Sequence, residues 1–154
     1  MNGVQEANVH ATAVALDPGS GPVGVLLRGV PGSGKSDLAL RLIDGGATLI
    51  ADDRTVLRRA AGRVLMAPSP VLRGRLEVRG LGLVPVDHVA DVPLVLVVDL
   101  VEAAAVERLP APRRETLLDV AVPLLALAPF ECSAPAKVRL AVRATANGIL
   151  HKLD

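Results

Sequence analysis

Residues 29–36 read GVPGSGKS, and within them Gly29, Gly34, Lys35 and Ser36 satisfy the spacing G-x-x-x-x-G-K-[ST] of a phosphate-binding loop. Gly29, Gly32 and Gly34 permit backbone conformations closed to residues with a Cβ, so the whole cradle, with Val30, Pro31 and Ser33 between the glycines, can turn successive N–H groups inward. A helix opening near Lys35 adds its positive end, which favours anions. Lys35 reaches the outer phosphates, and the Ser36 hydroxyl is suited to Mg²⁺. The expected cargo is the phosphate chain of a nucleotide.

Such a site also needs an acid for the metal and a group that orients the nucleophile. Asp99 closes the apolar run PLVLVVDL, and Asp52-Asp53 closes ATLIADD, the run that follows the loop and its helix. Adjacent aspartates repel when both are buried without a cation, and neighbouring strand side chains point to opposite faces. The pair therefore either has two different tasks or sits where the strand is already turning. Residue types alone leave three readings open: Asp52-Asp53, Asp99, and a plain solvated turn.

The elements that must position these residues are short. GVLLRG reads as a buried strand entering the loop, and Lys35 to Asp44 places Leu38, Ala39, Leu42 and Ile43 at helical spacing before the Gly45-Gly46 stop. NVHATAVAL, residues 8–16, reads as a strand ending in the turn cluster DPGSGP. TVLRRAAGRVLMAP reads as a hairpin about Ala61-Gly62, LEVRGLGLVPV as strand-like at both ends, and PLVLVVDL as a strong buried strand. RRETLLDVAVPLLAL reads as strand and turn. From Ser133 a helix is expected, with Pro135 in its first turn and Val138, Leu140, Val142 and Ile149 along it. Strands outnumber helices, so the class is mixed α/β: a phosphate-loop sheet with flanking helices.

Composition sets the bounds. The 154 residues suit one domain, residues 1–154, with its own core. They are 51% apolar but contain one Phe and no Tyr or Trp, which argues against base-stacking nucleic-acid platforms. The formal charge of +1 carries no basic block, again against nucleic acid. One cysteine, Cys132, precludes an internal disulfide and fits a reducing cytosol. No signal peptide is visible, and the most apolar run is far shorter than the roughly 20 residues of a membrane span. A cytoplasmic protein without membrane contact is expected.

His10, the segment GVLLRGVPGSGKSDLALRLIDGGATLIADD and the segment LEVRGLGLVPV together resemble the catalytic domain of HPr kinase/phosphorylase, in a short form that lacks the family's N-terminal domain. The resemblance implies the fold shared by HPr kinase and phosphoenolpyruvate carboxykinase, with ATP and Mg²⁺ as cofactors. It implies a protein serine kinase acting on the phosphocarrier protein HPr of a bacterial phosphotransferase system, with phosphorolysis in reverse. By the same resemblance Asp52 is the residue that takes the proton from the substrate serine and returns it in the reverse reaction. Asp53 helps hold metal and phosphate, and Glu77 shares Mg²⁺ with Ser36. His10 lies close to the transferred phosphate with Lys35, Arg79 belongs to the signature loop, and a homo-oligomer, a hexamer, is implied. Asp99 has no counterpart.

The sequence also departs from the family. Val30-Pro31 stands where the family has an acidic residue and serine, and the C-terminal PGRN segment with its catalytic arginine survives only as Pro135-Ala136-Lys137-Val138-Arg139. Lys137 is the stand-in for that arginine, but as a point charge without a planar fork, so weaker phosphorolysis is expected. Two alternatives are a small-metabolite kinase, for which Arg113-Arg114 is the candidate lid, and a nucleotide-binding sensor without transfer activity.

Overall fold

The computed structural model describes residues 5–146. In chain order the strands are β1 (Glu6–Val9), β2 (Thr12–Leu16), β3 (Val23–Arg28), β4 (Thr48–Ala51), β5 (Thr55–Ala60), β6 (Arg63–Pro68), β7 (Arg75–Val78), β8 (Gly82–Pro85), β9 (Val92–Leu100), β10 (Arg113–Leu117) and β11 (Val120–Leu127). The helices are α1 (Lys35–Asp44), between β3 and β4, and α2 (Ala134–Ala146), after β11. Ile149, expected on the last helix, lies outside the described residues. No helix among the described residues is long and apolar enough to cross a membrane.

Nine strands form one mixed sheet, ordered β1-β5-β6-β9-β3-β2-β4, with β11 on β9 and β10 on β11; β7 and β8 form a separate hairpin. Strands β3, β9 and β11 run parallel. Because β2 is antiparallel to both β3 and β4, β4 shares their direction. The C-terminal ends of β3, β4, β9 and β11 therefore open on one edge, together with the start of β2. Ligands of open α/β sheets bind at such an edge.

Strand alternation divides the core. Val25, Leu27, Leu96 and Val98 point to one face, where Leu38, Leu42, Val138 and Val142 of the helices cover them. Leu26 and Val97 point to the other, against Ile50, Leu57, Met66 and Leu124. Aliphatic side chains thus fill both layers, each fully buried one contributing about 1.5–3 kcal/mol. Turn residues set the hairpins as expected: Ala61 and Gly62 both take positive φ, 53° and 75°, the mirror-image turn that suits the twist of paired strands. Helix α1 ends as its glycines predict. Gly46, at φ 114°, donates to Ile43 O (3.0 Å), and Ala47 N–H donates to Leu42 O (3.0 Å), so the last carbonyls are capped.

One element differs from expectation. Residues 8–16 are not a single strand: β1 pairs with β5, β2 pairs with β3 and β4, and His10 lies in an exposed bend between them. The chain must change partners there, since β4 and β5 themselves diverge across residues 52–54. Register puts the two bends side by side, Val9 facing Thr55 and Ala13 facing Ala51. His10 is thereby carried to the same end of the sheet as Asp52 and Asp53.

Candidate active site

The phosphate loop connects β3 to α1. Gly34 caps the helix at φ 101° and accepts from Leu38 N–H at 2.9 Å. A Cβ on Gly29 would lie 2.2 Å from Ser33 Oγ, so the two ends of the loop touch. Only glycine tolerates the first geometry without strain, and only glycine allows the second approach. Val30 and Pro31 form the exposed crest, and Gly32, at φ 82°, turns the chain back. Ser33 Oγ is buried without a hydrogen-bond partner, an uncommon condition for a hydroxyl. Lys35 is 9% exposed, and its Nζ donates to Gly29 O (2.7 Å) and Val30 O (3.2 Å). The cation is thus held inside the cradle by carbonyls that an anion can replace.

Asp52 joins this loop to its neighbours. It is 4% exposed. Its Oδ1 accepts from Ser36 Oγ at 2.7 Å and from Thr12 Oγ1 at 3.0 Å, and its Oδ2 accepts from Glu77 N–H at 2.9 Å. Three donors, from α1, β2 and β7, converge on one carboxylate. Because Ser36 gives its proton to Asp52, the lone pairs of its oxygen stay available to a cation. The chain turns sharply just after Asp52: Arg54 N–H donates back to Asp52 O at 2.7 Å, and Asp53 takes φ 65°. That left-handed conformation is unusual for a residue with a side chain, though Asp tolerates it better than most. The strand is thus already turning at the acidic pair. Asp53 is exposed, and its N–H donates to Thr12 Oγ1 at 3.1 Å.

The remaining expected residues are placed as follows. Glu77 reaches the site through its backbone, with its side chain exposed on β7, and Arg79 lies in the exposed turn between β7 and β8. Lys137, in the first turns of α2, is paired with Glu131 at 3.0 Å. Asp99 is occupied elsewhere: Arg28, the last residue of β3, donates to it through Nε (2.7 Å) and Nη2 (3.1 Å) and pairs with Glu115 at 2.5 Å. The hydrogen bond to Asp99 chiefly raises the Arg28 pKa, partly offset by burial. The acid that touches the loop serine therefore comes from the end of β4, not β9. Arg113 and Arg114 lie on β10, in register with Leu124 and Pro123, and so belong to a sheet rather than a lid. A groove of about 450 Å³ between Asp17, Gly45, Gly46 and Arg139 lies at the opposite end of α1 from the loop and contains none of these residues.

Two participants escaped the sequence reading. Thr12, wholly buried, links Asp52 to the Asp53 backbone; the signal available was one hydroxyl in an otherwise apolar stretch. Arg28 is the other, and nothing local announces a partner 71 positions away.

The Ser36 hydroxyl and the Asp52 carboxylate beside it are hard oxygen donors of the kind Mg²⁺ prefers, with substrate phosphates usually completing its shell. The orphaned Ser33 hydroxyl and the Lys35 ammonium inside a glycine cradle likewise suit a phosphate chain.

The family model described as HPr Serine kinase C-terminal domain matches residues 5–138. An HPr kinase/phosphorylase of Neisseria meningitidis serogroup C is 45% identical over 89 residues, covering 53% of this chain and 28% of the relative. One from Bordetella pertussis is 43% identical over 99 residues, covering 57% and 32%. The chain thus spans less than a third of the length of these curated relatives. The solved structure of the HPr(Ser) kinase/phosphatase from Coxiella burnetii superposes with a TM-score of 0.79 at 25% identity, over 93% of this chain and 92% of that one. With a family model matched over most of its length and the same fold in a solved relative, this chain belongs to the family of the HPr serine kinase C-terminal domain.

Proposed function

We propose that the chain is an ATP- and Mg²⁺-dependent serine kinase that phosphorylates the phosphocarrier protein HPr, with phosphorolysis of phospho-HPr as the reverse reaction. The observation that carries this reading is the 2.7 Å hydrogen bond from Ser36 to Asp52, which couples the phosphate loop to the residue suited to act as base.

In the forward direction the acceptor serine oxygen forms a bond to the γ-phosphorus as the bond to the ADP oxygen breaks. The serine proton passes to the Asp52 carboxylate. In reverse, phosphate attacks phosphoserine and Asp52 returns the proton to the serine oxygen. Ser36, Asp53 and Glu77 supply the oxygens that would hold Mg²⁺, which contributes charge neutralisation on the phosphates. Lys35 exchanges its two loop carbonyls for phosphate oxygens, and the loop N–H groups stabilise charge where it accumulates. His10, brought to this end of the sheet by the bend that holds it, is the further side chain near the transferred group. Lys137, paired with Glu131 at 3.0 Å, offers phosphate a point charge without the planar fork of arginine, which supports slow phosphorolysis.

The test is an incubation with γ-labelled ATP, Mg²⁺ and purified HPr. Label on an HPr serine supports the kinase. Label on a small molecule added in HPr's place indicates a metabolite kinase, and nucleotide bound without transfer indicates a sensor; either outcome overturns the proposal.

A further inference from the structure

Phe130 is the chain's single aromatic residue, and it is 70% exposed. Burial does not hold it in place; its backbone neighbours do. Arg41 of α1 donates to the carbonyls on both sides of it, Pro129 O through Nη2 and Glu131 O through Nη1 at 3.3 Å. Asp37 braces the same guanidinium at 3.0 Å. A short, polar-anchored segment thus presents an apolar ring to solvent.

The far end of that ring abuts the phosphate loop. A Cβ on Gly34 would lie 2.9 Å from Phe130 Cζ and 3.1 Å from Cε1. Topology explains the meeting. Phe130 follows β11, and β11, β9 and β3 are consecutive parallel neighbours, so the ends of β3 and β11 open on one edge. Asp52 follows β4, two strands from β3 on the opposite side. The loop therefore lies between a carboxylate on one flank and an aromatic ring on the other. A nucleotide has the same polarity: a terminal phosphate that must meet base and acceptor, and, at its other end, a flat ring with apolar faces.

We propose that Phe130 stacks on the base of the nucleotide whose phosphates the loop holds, and so makes the site prefer nucleotides over bare phosphate chains. The inference rests on the phosphate-loop reading above. Platforms for nucleic acid need several aromatics, which this chain lacks, but a single base needs one face. Backbone N–H groups and Lys35 recognise phosphate without regard to what it is attached to; Phe130 supplies the discrimination they cannot.

The test compares Mg-ATP with Mg-tripolyphosphate by titration calorimetry for the wild-type chain, Phe130→Ala and Phe130→Trp. Loss of a base–aromatic stack should weaken ATP binding of Phe130→Ala by about 10- to 100-fold, leave tripolyphosphate binding unchanged, and be reversed in Phe130→Trp. Equal weakening of both ligands would assign Phe130 to the shape of the loop and overturn the proposal. Unchanged ATP binding with a raised KM for HPr would assign it to partner docking and overturn it as well. A wild-type chain that binds neither ligand would overturn the phosphate-loop reading and this inference with it, whereas wild-type binding of both with no change in Phe130→Ala removes the inference alone.

Discussion

Asp52 offers two oxygens to three donors, and that arithmetic decides what substitutions around it do. In Asp52→Asn the amide oxygen satisfies Glu77 N–H only if the NH₂ faces Ser36 and Thr12, whose hydroxyls must then rotate to accept. Ser36 would spend a lone pair that a cation needs, and Thr12 already accepts from Asp53 N–H at 3.1 Å. The loop N–H groups and Lys35 are untouched by the change. Asp52→Asn should therefore still bind Mg-ATP in calorimetry while losing general-base assistance, worth about 10²- to 10⁴-fold in rate. Thr12→Val keeps the shape but leaves a buried carboxylate oxygen and the Asp53 N–H each one partner short. It should cost about 1–3 kcal/mol in urea unfolding, and Thr12→Ser should recover most of that loss.

Among the elements, α1 has the most demanding position, since it must carry Lys35 and Ser36 at one end and bury its flank along its length. Leu38, Ala39 and Leu42 are fully buried beneath it. Leu42→Ala should destabilise the fold by about 2–5 kcal/mol, read from the shift of the urea midpoint. Gly34→Ala acts at the other end: its φ of 101° is costly for a residue with a Cβ, and the new methyl meets Phe130. We expect it to lose pyrophosphate binding while keeping a cooperative unfolding transition, with isothermal titration as the check. At the end of β3, Arg28 neutralises Asp99 and Glu115 together. Its raised pKa means that its contribution is complete below the usual arginine range and is lost only in stronger alkali. Titration of this group therefore adds no pH dependence to stability near neutrality.

Across the whole molecule, what could be read from sequence was what short-range physics controls. Helix α1 begins at Lys35 and ends at Asp44 as its periodicity and glycines indicate, and the turn at Ala61-Gly62 closes the expected hairpin; residues 113–127, read only as strand and turn, form a second hairpin about Leu118-Asp119. The glycine loop was legible because its backbone demands specific residues at fixed spacing. Contacts across the sheet were not legible, because strand order decides them: Thr12 meets Asp52 because β2 lies between β3 and β4, and Phe130 meets Gly34 because β11 joins β9. The bend at His10 was hidden for the same reason, since the residues around it suit a strand and only the exchange of partners breaks it. Residue types alone left Asp99, at the end of a strong apolar strand, open beside Asp52; the family resemblance gave it no counterpart, and the structure pairs it with Arg28.

The central claim is that the loop and Asp52 together move a phosphoryl group onto a serine of HPr. Mapping of the modified residue by mass spectrometry, after incubation of HPr with Mg-ATP and either the wild-type chain or Asp52→Asn, tests it most directly. Phosphoserine on HPr with the wild-type chain, nearly absent with the variant although the variant still binds nucleotide, is the predicted result. Unmodified HPr with the wild-type chain, or equal modification by both proteins, would contradict it.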